Sequence, residues 1–247
     1  FSMAELTAAR ALSSGRADII SGSISITDER RESIDFPTAC YTGGVVILAR
    51  AEDLEASSSS IRFQSLEDFS GTTVAAFTGT THDQILLEQV DDVEFQYFDD
   101  LSAQLLALQT GTVDAVINDL PVVRLAAARR PELAVFPEIV AEDSYGLGLR
   151  KDSPLTDQIS AMIEGFRADG TLDALEAEWM GPDESAKSVD VGEYDAPTGV
   201  LRYAHDSTTE PMSYVGDDGS SMGYEVELVY LIARELGMEL EITQTMF

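Results

Sequence analysis

The sequence predicts an α/β protein, and three observations carry that prediction. Short β-branched runs alternate with amphipathic stretches along the chain. Glycines stand where several of those stretches stop, at Gly15, Gly111 and Gly237. A chain of 247 residues with 44% hydrophobic content can bury a substantial core, as one large domain or two lobes. Strands alternating with helices imply mainly parallel sheets.

The elements follow in order. Ala4 to Ser14 reads as a helix stopped by Gly15, and Ala17 to Ile20 as a short buried strand. Val45 to Ala49 is a β-branched strand, and Ser57 to Ser60 a surface loop. Val74 to Phe77 is a strand whose "TGTTHDQILLEQV" continuation turns into a helix. Leu101 to Gln109 is helical, Val113 to Ile117 a strand, and Val122 to Arg130 a helix ended by Pro131. Leu155 to Trp179 holds two helical stretches around Gly170. The polar, turn-rich segment 181–199 reads as a linker. Leu201 to Ala204 is a strand, Glu225 to Leu236 an amphipathic helix, and Leu240 to Thr243 a strand. "LSSGRADII" and "LQTGTVDAVI" share a helix end, a glycine, an aspartate three residues later and an apolar strand, which fits two lobes built on related plans.

Charge narrows the partners. Asp and Glu total 45 against 15 Lys and Arg, a formal net charge of −30. Such a surface argues against nucleic acid or an anionic membrane as partner. A single cysteine, Cys40, excludes an internal disulfide and reads as core packing. His82 and His205 are too few for a zinc site, and no cofactor is implied. No apolar run reaches the length of a membrane span, so any signal or anchor is expected outside this sequence.

Open α/β sheets bind ligands beyond the carboxyl ends of their strands. Four strands here end in polar residues. The first leads to Ser21, Gly22, Ser23 and Ser25, with Arg30 following. The second leads to Thr80 and Thr81 at a helix start, where free backbone N–H groups favour an anion. The third leads to Asn118 and Asp119, and the fourth to His205, Asp206 and Thr209. A guanidinium and hydroxyls suit a carboxylate, and Asp119 suits an ammonium; together they complement a free α-amino acid. Taken singly, Arg30 reads as a solvated charge, Asp119 as a helix cap and Asp206 as a turn residue.

These segments resemble the amino-acid-binding, type 3 extracellular solute-binding proteins of bacterial ABC importers. "SGSISITDERRESIDF" looks like the family's signature segment, and "TVAAFTGTTHDQIL" like its second-lobe carboxylate loop. "GTVDAVINDLPVV" looks like the strand with the ammonium aspartate. "YGLGLRKDSPL" and "FRADGTLDALEAEWMG" look like the return to the first lobe and the last helix. "LRYAHDSTTEPMSYVGDDGSSMGYEVELVYLIARELGMELEI" looks like the family's N-terminus, yet it comes last here. The resemblance therefore implies a two-lobed periplasmic-binding-protein-like (type II) fold with a circularly permuted chain order. It is either engineered or cut from tandem binding domains; we favour the second.

The resemblance also implies roles. Arg30 would pair with the ligand carboxylate, helped by Ser23, Ser25, Thr80 and Thr81. Asp119 would take the ammonium, and Asp206 and Thr209 would face the ligand side chain. The family often has an aromatic at the Thr209 position; here the covering ring would come from elsewhere, such as Phe247 or Phe1, or be absent. Residues 1–44, 150–180 and 200–247 would form lobe one, and 45–149 lobe two with its hinge strands. The chain would cross near Gly43–Val46 and Ser144–Leu147. The C-terminal segment would complete either its own lobe or that of a domain-swapped neighbour. The implied function is extracellular, cell-surface or periplasmic binding of an amino acid by lobe closure, without catalysis. The partner would be an ABC permease or a membrane-linked signalling module. A sensor domain and a dehydratase-like enzyme are the alternatives.

Overall fold

The structure, a computed structural model, describes residues 10–54, 61–181, 183–192 and 197–245. The expected serine loop 57–60, the first part of the opening helix, and Phe1 and Phe247 lie outside the described residues. The chain forms two compact units, one of residues 1–42 with 144–247 and one of residues 43–143.

In chain order, unit one begins with α1 (10–13), β1 (Ile19–Ser21), α2 (Asp28–Ser33) and β2 (Ile34–Asp35). β3 (Tyr41–Arg50) leads into unit two. There follow α3 (Ala51–Leu54), β4 (Thr73–Phe77), α4 (His82–Leu87), β5 (Glu94–Phe98), α5 (Leu101–Gln109), β6 (Ala115–Asp119), α6 (Leu120–Arg129) and β7 (Leu133–Tyr145). The chain returns through β8 (Gly148–Arg150), α7 (Thr156–Ala168), α8 (Thr171–Trp179), β9 (Val200–Asp206), β10 (Thr208–Thr209), β11 (Ser213–Val215), β12 (Ser221–Met222), α9 (Tyr224–Leu236) and β13 (Glu239–Thr245).

Unit one holds a sheet in the order β13-β9-β1-β8-β2 and a small meander of β10, β11 and β12. β1 and β9 run parallel with Ile19 opposite Tyr203, and β13 runs parallel to β9 along its whole length. The C-terminal strands thus complete the sheet begun by β1 of the same chain. One core gathers Trp179, Tyr145, Tyr203 and Tyr224 with α7, α8 and α9. Leu12, Ile20, Ile34 and Phe36 form a second. Cys40 is buried in the first, its Sγ toward the Tyr145 carbonyl at 3.3 Å. Burial pushes its thiol well above the ordinary range, so it stays neutral and packs as a small apolar group. The polar segment after α8 also lies against this unit. Lys187 is buried and pairs with Glu184 at 2.9 Å, and Asp190 holds Arg234 of α9 at 2.9 Å.

Unit two is a sheet in the order β5-β4-β6-β3-β7. Its inner strands are apolar on both faces. In β3, Val45, Ile47 and Ala49 enter one core while Val46 and Leu48 enter the other. Burial on both faces explains why these strands read as unbroken apolar runs.

Each five-stranded sheet joins a parallel set, β13-β9-β1 or β5-β4-β6, to antiparallel strands, so the expected parallel pairing holds for part of each. β8 runs antiparallel to β1 and to β2, and β3 antiparallel to β6. The strands that leave and re-enter a unit need no crossover helix, so no helical segment announces their direction.

Candidate functional site

In unit one, β1 ends in a loop that only particular residues can form. A Cβ on Gly22, whose φ is +152°, would stand 2.7 Å from the Cβ of Asp206. Ser23 takes a left-handed φ of +50°, unusual for a residue with a side chain. Its backbone N–H donates to both carboxylate oxygens of Glu225, at 3.2 and 3.3 Å. Glu225 is fully buried in the first turn of α9. Burial pushes its carboxyl up to about 7; the Ser23 and Gly22 N–H groups and the Ser21 hydroxyl pull it down, and the Asp206 charge pushes it up. The Ser23 hydroxyl oxygen is buried without a hydrogen-bond partner, so a polar ligand group would satisfy it.

Arg30 follows on α2. Thr27 caps that helix by accepting from the Arg30 N–H at 3.2 Å. The guanidinium Nη1 donates to the Ser25 carbonyl at 2.8 Å. Arg30 is half-buried, whereas Asp28, Glu29 and Arg31 are exposed, so the four charges read together in sequence separate in space. Asp206, the last residue of β9, is buried. Its Oδ1 accepts from the Thr208 N–H at 2.7 Å and the Thr208 hydroxyl at 2.6 Å. The turn role foreseen for it is therefore present. Thr209 stands in the meander, paired with Ser213.

In unit two, β4 ends in a turn closed by Thr80, whose hydroxyl donates to the Phe77 carbonyl at 2.9 Å. Thr81 occupies the cap position of α4 without a side-chain hydrogen bond to the helix. Asp119 ends β6 and occupies the cap position of α6, again without a capping hydrogen bond. Its Oδ1 instead meets His82 Nε2 at 3.1 Å. Because β4 and β6 are paired neighbours, the Thr80–Thr81 turn and Asp119 stand at adjacent strand ends, joined by His82.

Each unit therefore brings its own expected residues together. Unit one joins the loop of Ser23 and Ser25 to Arg30 of α2, with Asp206 against Gly22; unit two joins Thr80, Thr81 and Asp119. Sequence reasoning missed Glu225 and His82. His82 reads only as too isolated for a zinc site and Glu225 only as the start of an amphipathic helix, although each shares a helix face with apolar neighbours. Among the described residues, no cluster of His, Cys, Asp or Glu could hold a metal ion, and no helix is long and apolar enough to cross a membrane.

The chain is similar to the L-cystine-binding protein TcyJ of Escherichia coli K12, 29% identical over 174 residues, 70% of this chain and 63% of that protein. It is 30% identical over 180 residues to the glutamate-binding protein GluB of Corynebacterium efficiens, covering 70% of this chain and 59% of that one. The chain thus spans less than two thirds of the length of these curated relatives. Among solved structures, the GluR0 ligand-binding core in complex with L-glutamate matches with a TM-score of 0.62 and 26% identity, over 70% of this chain and 77% of that one. A mutant of ArgBP from T. maritima matches with a TM-score of 0.60 and 28% identity, over 72% and 75%. The family model for bacterial extracellular solute-binding proteins, family 3, matches residues 3–182 and 201–247, and the chain belongs to that family.

Proposed function

We propose that this protein binds a free α-amino acid outside the cytoplasm and delivers it to an ABC importer. The observation that carries the reading is the division of complementary chemistry between the units. Unit one holds Arg30 with the hydroxyls of Ser23 and Ser25, suited to a carboxylate; unit two holds Asp119, suited to an ammonium. Thr80 and Thr81 of unit two would add hydrogen bonds to the ligand, and Asp206 and Thr209 would meet the ligand side chain. Relatives named for cystine, arginine and glutamate support an amino acid as the ligand class.

Calorimetric titration of ligand-stripped protein with a panel of L-amino acids tests the reading. A saturable one-to-one signal for some of them is expected; silence across the panel would sink it. Arg30→Ala should then weaken that ligand by about 2–5 kcal/mol, because its carboxylate loses its charged partner. Undiminished affinity in Arg30→Ala would remove the role from this residue.

A sensor domain of a signalling protein is the second reading. It is favoured by the likeness to GluR0, which is named as a ligand-binding core and not as a transport protein. A membrane-linked signalling module in place of a permease in the full-length protein would decide for it. We read the chain as a binder and not a dehydratase-like enzyme; turnover of any amino acid in the panel would reverse that.

We also propose that the chain order is permuted relative to the family, with 181–199 as the bridge. The two separate stretches matched by the family model support it. A protein with 200–247 moved ahead of residue 1 should fold with the same cooperativity and bind the same ligand. Failure to fold would count against the permutation.

A further inference from the structure

Inside unit two, buried polar side chains form a chain that runs through Asp119. Gln104 of α5 accepts from Asn118 Nδ2 at 3.2 Å. Asn118 Oδ1 accepts from the Asp119 N–H at 2.8 Å. Asp119 Oδ1 meets His82 Nε2 at 3.1 Å, so that nitrogen carries the hydrogen and donates it. Gln104, Asn118, Asp119 and His82 are all buried.

Both ends of this chain are unsatisfied. Gln104 Nε2 and His82 Nδ1 are buried with no hydrogen-bond partner. Each such atom is buried without a partner, while the other polar atom of the same side chain is bonded, Gln104 Oε1 to Asn118 and His82 Nε2 to Asp119. Apolar packing alone therefore does not account for a histidine and a glutamine here; the hydrogen bonds to Asp119 and Asn118 do. What they do achieve is directional. Asp119 has no capping bond to α6 to orient it, while one carboxylate oxygen is held from α4 and its backbone from Asn118.

We propose that His82 is a specificity-determining positioning residue, which together with Asn118 and Gln104 aims the Asp119 carboxylate at a ligand's ammonium group. The preference for an amino acid over the same molecule without its amine then depends on a residue that acts through Asp119. This rests on the reading of Asp119 given above.

The test measures that preference as a ratio of dissociation constants. The probes are L-glutamate against glutarate, and L-arginine against its deaminated analogue. The variants are Asp119→Asn, His82→Leu, His82→Gln, Gln104→Leu and the double variant of the first two. Asp119→Asn should abolish the preference. His82→Leu should lower it by roughly ten-fold or more, the scale of a hydrogen bond to a charged group, while leaving the affinity for the deaminated probes within about two-fold. His82→Gln, which keeps an N–H donor, should recover part of the loss. The double variant should lose no more than Asp119→Asn alone, since the two act as one unit. Gln104→Leu, which removes the orphaned Nε2 but also unpairs Asn118 Nδ2, should melt slightly below the parent and lose part of the preference; it decides the matter if His82→Leu does not fold.

If Asp119→Asn abolishes the preference and the His82 and Gln104 variants keep it, His82 is core packing and the inference falls alone. If Asp119→Asn keeps the preference, or the parent shows none, the reading of Asp119 falls and takes the inference with it.

Discussion

Two segments, one in each unit, enter the sheet in the same way and leave it differently. In "LSSGRADII", Gly15 has a φ of +69°, and the N–H groups of Gly15, Arg16 and Ala17 donate to the carbonyls of Leu12, Ala11 and Ala11. In "LQTGTVDAVI", Gly111 has a φ of +73°, and Gly111, Thr112 and Val113 donate to Leu108, Ala107 and Ala107. The aspartates correspond as well. Asp18 donates its N–H to the Arg202 carbonyl at 2.8 Å and accepts from the Arg202 N–H at 2.9 Å. Asp114 makes the same exchange with Thr73 at 2.7 and 2.9 Å. Each aspartate ties its strand to a parallel neighbour, β9 for β1 and β4 for β6. At the far end the likeness stops. β1 opens into a left-handed Ser23 held by the buried Glu225; β6 runs straight into α6 and ends on a carboxylate of its own. The entry to the strand builds the scaffold, and its exit carries the groups proposed to meet the ligand.

The largest difference to probe is therefore at the exits. Glu225 has a carboxyl raised from the ordinary 4.5 to about 7. A raised carboxyl contributes stability that is fully present below the ordinary value and is lost as pH rises through the folded value. Between pH 4.5 and 8 the parent should lose about 3 kcal/mol on this account. Glu225→Gln should lack that slope, and at pH 8 it should unfold at a higher urea concentration than the parent. Parallel slopes for the two proteins would refute the buried-carboxylate assignment.

At the entries the effects should be smaller and should rank. Burial pushes the Asp114 carboxyl up, but the Thr73 N–H and the Arg62 and Arg50 charges outweigh it and hold it below the usual range. Arg62 stands at 2.7 Å from Asp114, Arg202 at 3.7 Å from the more exposed Asp18. Asp114→Ala should cost about 2 kcal/mol and Asp18→Ala about half that, from the loss of hydrogen bonds to a charged acceptor. Urea midpoints give both; a larger cost at Asp18 would break the ranking. Smallest and equal should be Gly15→Ala and Gly111→Ala. Nothing lies within 4 Å of a Cβ added at either, so only the left-handed backbone is penalised, by about 1 kcal/mol each. A clear gap between the two would mean that the turns are less alike than their hydrogen bonds.

The sequence carried the inner strands and the longer helices because their burial is dense. α5 falls at Leu101–Gln109 as its apolar spacing and Gly111 require. β5 escaped because its polar–apolar alternation, Glu94 to Tyr97, is short and mostly exposed. β7 escaped because Pro137 and a half-exposed pattern break its apolar content. The two- and three-residue strands of the meander offer no period at all. Within the site, Ser23, Arg30 and Asp119 were legible because polar residues follow apolar strands. Glu225 and His82 were not, since neither lies at a strand end. Both left a trace: Glu225 shares a helix face with Leu228, Val229 and Ile232, and His82 with Ile85 and Leu86. A charge or an imidazole in the middle of an apolar stripe marks a buried polar group that needs a partner.

The sheet of unit one has a consequence for synthesis. Ser21 and Tyr203 share a buried hydrogen bond across 182 residues of chain, and β13 closes the same sheet. In this chain order residues 43–143 form one uninterrupted stretch, so unit two can complete its own sheet before the β9 and β13 that pair with β1 here have been made. During that interval the parallel edge of β1 is open. The nascent chain is then most exposed to pairing with a stray strand, and a chaperone would have most to offer there.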